Sequence, residues 1–296
     1  MASHPIVHGL SVDVEDWFHI LDCEGSPDRG SWSAQPSRVE RNTTVLLDIF
    51  DRHRVKATFF CLGWVAEHFP AVPQEIVRRG HELGSHGHLH ALVGPLGPDG
   101  FARDLDDSLQ ALERATGTAV QCFRAPGFSV TRAEVAWVVP LLVSRGIDLD
   151  SSLFLTERAH GGLPLDRRGP FAIQGPQGSQ LLEVPVIPRH VGRRELAFSG
   201  GGYLRLLPLP VLRASFAEVE RAGHGAVCYL HPREIDADQP RMRLPPRRAF
   251  KYYVGLDGVV AKLDALLQQF HFGTLRQMAA RNPRDATIAL EDLGRA

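Results

Sequence analysis

Short apolar runs rich in β-branched residues alternate with amphipathic helical stretches along almost the whole chain. That alternation limits the fold to a parallel sheet or barrel flanked by helices. The strand-like runs are 6–14, 56–62, 120–123, 147–154, 181–187, 226–230 and 272–275, and helical spacing recurs over 65–79, 101–116, 134–145, 210–222 and 256–270. In both architectures ligands gather beyond the C-terminal ends of the strands. The residues that break the apolar pattern stand there: Asp13, Glu15 and Asp16, then His86 and His90, Arg124, Asp150 and His231. Charges at buried strand ends are costly unless paired or bound to a cation, and five separate strand ends carrying polar groups argue for one shared site.

The densest of these stretches is 80–90, Gly-His-Glu-Leu-Gly-Ser-His-Gly-His-Leu-His, with four histidines in eleven residues. Imidazole is the commonest protein ligand for a transition metal. His86 and His90 are four apart, so one helical turn would place both on one face; the plain alternative is a His-rich surface loop. Along the first strand, alternation puts Asp13 and Glu15 on one side and Asp16 on the other, where Asp16 also suits a helix cap.

Composition excludes several function classes. A net charge of −1 gives no reason to expect a nucleic acid or an anionic membrane as partner, and no apolar run is long enough to span a bilayer. A length of 296 residues with 44% hydrophobic content suits a single α/β barrel. Residues 1–5 lack a basic and an apolar signal region, so a cytoplasmic location is the expectation. Cys23, Cys61, Cys122 and Cys228 form no CxxC pair and read as reduced thiols. The stretches 92–100, 199–203 and 235–248 read as loops, and the tail after 282 as frayed.

Seven segments together resemble the polysaccharide deacetylases of carbohydrate esterase family 4, which share the NodB homology domain: SVDVEDWF (11–18), KATFF (56–60), GHELGSHGHLH (80–90), FRAPGFS (123–129), LDSSLF (149–154), GGGYLRLLP (200–208) and YLHPREID (229–236). Within that family the chain is most similar to the exosortase-associated (XrtA-type) deacetylases, including a C-terminal run over 250–275. The resemblance implies a distorted (β/α) barrel over 1–235 and a helical C-terminal segment, 236–296, packed on the same domain. It implies a divalent cation, usually Zn2+, and an N-acetylated oligo- or polysaccharide as substrate. Asp13 matches the general base, Arg124 the arginine that orients it, His231 the general acid, and His86 and His90 the metal histidines. Val14 occupies the place of the family's metal aspartate, so the metal carboxylate falls to Glu15 or Asp16. A backbone N–H near Gly127 or Phe128 matches the oxyanion donor, and Asp150, with Asp148 as the other candidate, the carboxylate that keeps His231 charged. The implied reaction is removal of N-acetyl groups from hexosamine units; the rivals are hydrolysis of another linear or cyclic amide, and a non-catalytic carbohydrate-binding barrel.

Overall fold

The computed structural model describes residues 5–21, 25–191 and 194–295. Cys23 and the expectation resting on residues 1–4 lie outside the described residues. The first strand, β1 (His8–Val14), is buried along its entire length, although Ser11 and Asp13 alternate with Leu10, Val12 and Val14. Helix α1 (Val39–His53) crosses over to β2 (Thr58–Cys61); α2 (Gly63–His68) and α3 (Ala71–Arg78) lead to β3 (Glu82–Ser85). Helix α4 (Val93–Thr116) joins β3 to β4 (Cys122–Phe123), and α5 (Arg132–Ser144) joins β4 to β5 (Leu149–Asp150). An antiparallel pair, β6 (Phe171–Gln174) and β7 (Gln180–Glu183), follows, then a small hairpin of β8 (Arg189–Val191) and β9 (Arg194–Leu196). Helices α6 (Gly201–Leu206) and α7 (Leu209–Arg221) precede β10 (Val227–Leu230). The C-terminal part contributes α8 (Pro246–Tyr253), α9 (Val259–Gln269), β11 (Phe272–Gly273), α10 (Leu275–Arg281), β12 (Ile288–Ala289) and α11 (Leu290–Arg295).

Apart from the β8–β9 hairpin, the strands form one sheet in the order β10-β1-β2-β3-β4-β5-β7-β6-β12, with β11 also on β1. This is the mixed α/β, mostly parallel architecture that the alternation predicts. The parallel register matters for function. Val14 pairs with Cys61, Cys61 with Ser85, Ser85 with Phe123 and Phe123 with Asp150, while Val12 pairs with Leu230. The strands therefore end level, and the residues that follow (Glu15, His86, Arg124, Ser151 and His231) emerge at one rim.

Three expectations about elements are corrected. The 92–100 stretch is mostly helical: α4 starts at Val93 and is kinked at Gly97, whose φ of 62° no other residue adopts easily. The glycines of 200–202 open a helix rather than a loop. The tail is packed, not frayed: β12 extends the sheet beside β6, and Leu293 is fully buried. Cys61, Cys122 and Cys228 are buried free thiols. Among the described residues, no helix is long and apolar enough to cross a membrane.

The fold buries His81 as a neutral acceptor. Its Nδ1 accepts from the Ala57 N–H at 3.1 Å, and its ring meets Phe59 edge-on at 5.0 Å. Burial pushes it from 6.5 down to about 4. Between those values the unfolded chain binds a proton that the folded one refuses, so stability is present above pH 6.5 and is lost as pH falls toward 4. Thermal unfolding across that window is expected to show a loss of up to about 3 kcal/mol from this group. His81→Gln should flatten that part of the pH dependence, and an unchanged slope in the variant would assign the loss elsewhere.

Candidate active site

The level strand ends generate the site directly. Alternation along β1 places Ser11 and Asp13 on one side, and one guanidinium reads both: Arg124 Nη1 donates to Asp13 Oδ1 at 2.7 Å and to Ser11 Oγ at 2.9 Å. Arg124 is fully buried, and its other donors go to the Ser151 carbonyl and hydroxyl at 3.1 and 2.9 Å. Such an arginine fixes an ionised carboxylate in one orientation.

Glu15, His86 and His90 each present one ligand atom, and those atoms lie within 4.8 Å of one another. His86 Nδ1 donates to the Arg124 carbonyl at 2.8 Å, which leaves Nε2 as the ligand nitrogen. Burial lowers His86 to about 4, so it is neutral and able to ligate at ordinary pH. Glu15 Oε2 is buried without a hydrogen-bond donor although His90 Nε2 lies only 2.8 Å away. Burial opposes ionisation of Glu15, but the charges of His90, His231 and Arg233 outweigh it and hold the carboxyl well below the usual range. An orphaned carboxylate oxygen facing two imidazole nitrogens fits a divalent cation, with coordination positions left for water and substrate.

Two sequence expectations about this cluster fail. No helical turn joins His86 to His90; the chain reverses in a loop, with His90 at a φ of 48°, and this brings the rings to a centroid distance of 5.3 Å. Asp16 is not beside the histidines. Its carboxylate accepts from the Ser37 hydroxyl at 2.6 Å and from the Arg38 and Val39 N–H groups at 2.9 and 3.2 Å, so it closes the N-terminal end of α1.

His231 follows β10. Its Nε2 lies 3.9 Å from Asp13 Oδ2 and 3.6 Å from Glu15 Oε1. Asp150 does not support it. Asp150 accepts from the Ser151 N–H and the Ser152 hydroxyl, and Ser152 in turn accepts from the Ala125 N–H, so it braces the turns around Arg124. Burial pushes Asp150 up to about 6 and its neighbour Glu183 well above the usual range. The other candidate, Asp148, pairs with Arg276 at 2.6 Å. The carboxylate against His231 is Glu234, which sequence reasoning missed. Its Oε2 lies 3.4 Å from His231 Nδ1 and accepts from the His231 N–H at 3.1 Å. Burial lowers the His231 pKa, but the Glu15 and Glu234 charges prevail and raise it.

Glu234 is itself built in. Arg205 on α6 reaches Glu234 Oε1 at 3.2 Å, and its Nη1 donates to the Lys251 and Tyr252 carbonyls at 2.8 and 2.9 Å. Gly201 supplies the room: a Cβ there would stand 1.5 Å from Glu234 Oε2. Gly201→Ala is expected to lower stability by about 3 kcal/mol, since the clash falls on a buried, doubly held carboxylate. At Gly202 the nearest atom to an added Cβ is Arg205 Nη2 at 3.7 Å, so Gly202→Ala should unfold close to the wild-type temperature. Equal melting of the two variants would remove the steric argument.

Asp13, Glu15, His86, His90 and His231 line one cavity of about 320 Å³ together with His19, Gly127, Phe128, Arg158, Tyr229, Arg233 and Tyr252. In the turn after Arg124, the Phe128 N–H is committed to the Ala125 carbonyl, which leaves Gly127 as the backbone donor there. Residues 28–138 match the family model "Polysaccharide deacetylase". Residues 151–280 match a second model, "Domain of unknown function (DUF3473)". The deacetylase match carries His86, His90 and Arg124; the second carries His231, Glu234 and Tyr252; Asp13 and Glu15 lie ahead of both. A peptidoglycan-N-acetylglucosamine deacetylase of Bacillus cereus is 32% identical over 95 residues, 32% of this chain and 34% of that protein. A peptidoglycan deacetylase of Helicobacter pylori is 28% identical over 154 residues, 50% of this chain and 49% of that protein. The chain thus spans half or less of these curated relatives. A Mycobacterium smegmatis protein described as a polysaccharide deacetylase superposes with a TM-score of 0.62 at 19% identity, over 95% of this chain and 93% of that one, which establishes the likeness of fold.

Proposed function

We propose that the chain is a metal-dependent hydrolase that removes N-acetyl groups from hexosamine units of a polysaccharide or its precursor, in the manner of the exosortase-associated deacetylases. The observation that carries this reading is the convergence of the Glu15–His86–His90 triad, the Asp13–Arg124 pair and His231 on one cavity. Glu15, His86 and His90 would hold the cation, in our reading Zn2+, which when bound supplies carbonyl polarisation and a more acidic water. Asp13, oriented by Arg124, accepts the proton of the attacking water. The Gly127 N–H faces the developing oxyanion. His231 donates a proton to the departing amine, with Glu234 behind its Nδ1. The nearest polar atoms of the acid and base lie 3.9 Å apart, so both can serve one reacting centre placed beside them. The products are acetate and a free amino sugar. Strands β11 and β12 of the C-terminal segment belong to the same sheet as β1 and β6, so that segment works as one unit with the rest, and its Tyr252 reaches the cavity.

The test is acetate release from N-acetylglucosamine oligomers by protein treated with chelator, then restored with Zn2+. Release that vanishes with chelator and returns with zinc is expected. Release indifferent to chelator, or none from zinc-loaded protein, would overturn the reading.

A further inference from the structure

The cavity holds a cation that deacetylation does not use. Arg233 sits on the turn Pro232–Ile235 and lines the same cavity as Asp13, Glu15, His86 and His90. Its Nε and Nη1 are buried and have no hydrogen-bond partner among the described residues. The nearest carboxylate oxygen, Glu15 Oε1, is 3.8 Å from Nε, outside hydrogen-bond reach. The guanidinium is nonetheless held in place: it stacks on the Tyr252 ring at 3.8 Å, and the Tyr252 hydroxyl donates to the Trp17 carbonyl at 2.9 Å. Unfilled buried donors are rare and costly. A clamped guanidinium with free N–H groups is a receptor for a planar oxyanion.

Charge in the cavity points the same way. Arg158 also lines it, stacked on Phe154 at 4.5 Å, and its Nη1 donates to the Tyr203 hydroxyl at 3.1 Å. Asp13 is matched by Arg124, and Glu15 belongs to the cation triad. Glu234, which also faces Arg233, is shared with Arg205 and His231; a cation bound at the triad therefore leaves Arg233 and Arg158 without a hydrogen-bonded anion among the described residues, and a neutral acetamido sugar brings none. Resting on the deacetylase reading, we propose that the substrate is acidic: an N-acetylhexosamine unit joined to a group bearing a carboxylate or a phosphate, whose oxygens dock on Arg233 Nε and Nη1 with Arg158 flanking them. Part of the segment of unknown function, Arg233 with Tyr252 behind it, thereby becomes the specificity wall of the site.

Calorimetric titration of zinc-loaded protein, at a temperature where turnover over the titration is negligible, reads this with the cation in place. The probes are a neutral N-acetylglucosamine tetramer, an alternating N-acetylglucosamine–glucuronic acid tetrasaccharide, and UDP-N-acetylglucosamine. One of the two acidic probes is expected to bind at least tenfold more tightly than the neutral tetramer, and to weaken with added salt as the neutral one does not. Preference for the uronate names a carboxylate, and preference for the nucleotide sugar a phosphate. Arg233→Gln should bring the acidic-to-neutral ratio to about one, and Arg233→Lys, which keeps the charge but loses the fork, should fall between. Acetate release from the same three compounds by zinc-loaded protein is measured alongside. Equal binding of all three probes, or a ratio unchanged in folded Arg233→Gln, overturns the proposal whatever the acetate assay shows. An acidic preference with no acetate from any probe overturns the deacetylase reading and leaves the anion site standing.

Discussion

Asp13→Asn is expected to reduce the rate of acetate release by about 10³-fold while leaving the fold intact. The substitution is isosteric, so Oδ1 can still accept from Arg124 Nη1, at 2.7 Å in the wild type. What is lost is the basic lone pair that takes the water proton. The change also leaves Arg124, fully buried, without its carboxylate partner. Removing one partner of a buried pair costs about 3 kcal/mol, although Ser11, Ser151 and the acid pair Asp150–Glu183 still surround the guanidinium. The two effects separate experimentally. Activity is measured well below the melting transition, where a destabilised but folded variant is fully populated, and metal content is measured on the same sample. Because Asp13 lies outside the Glu15–His86–His90 triad, zinc binding should survive. Activity within tenfold of wild type would remove Asp13 from the role of base and shift it to holding Arg124.

The sequence exposed these groups because each ends an apolar run, and level parallel strands turn separate run-ends into one rim. Asp13, Glu15, His86, His90, Arg124 and His231 are legible for that reason. Asp16 misled because a cap and a ligand have the same local signature. The difference lies in Ser37, Arg38 and Val39, more than twenty residues on. Asp150 misled because it too stands at a strand end, the signature shared by the site residues: here it serves the Arg124 turns. The fold's short pieces were hidden by length. Strand β12 has two residues and α11 six, too few for periodicity to register. Glu234 left one local trace, its place three residues after His231, the spacing of a capping box. Its other determinants, Gly201 and Arg205, lie some thirty residues earlier in a glycine run that reads as loop.

Glu234→Gln is expected to lower amide hydrolysis by about 10²-fold and to spare esters with good leaving groups. The argument runs through the leaving group. An amine cannot depart as an anion and needs a proton from His231; a nitrophenolate needs none. Gln at this position has one acceptor oxygen, which keeps the hydrogen bond from the His231 N–H, at 3.1 Å, and turns an amide NH2 toward Arg205 in place of the oxygen now 3.2 Å from it. It removes the negative charge 3.4 Å from His231 Nδ1, one of the two that outweigh burial and favour the imidazolium. The other, Glu15, is shared with the cation triad, so Glu234 is the carboxylate left to hold His231 protonated. The variant also strands the buried Arg205, and some loss of stability follows. A structural defect would depress amide and ester turnover together, whereas a lost acid depresses the amide alone. The comparison of N-acetylglucosamine oligomers with 4-nitrophenyl acetate therefore decides: a large drop on the first with less than about threefold on the second places Glu234 behind the acid. Parallel losses on both would reduce it to scaffolding for Arg205 and the C-terminal segment.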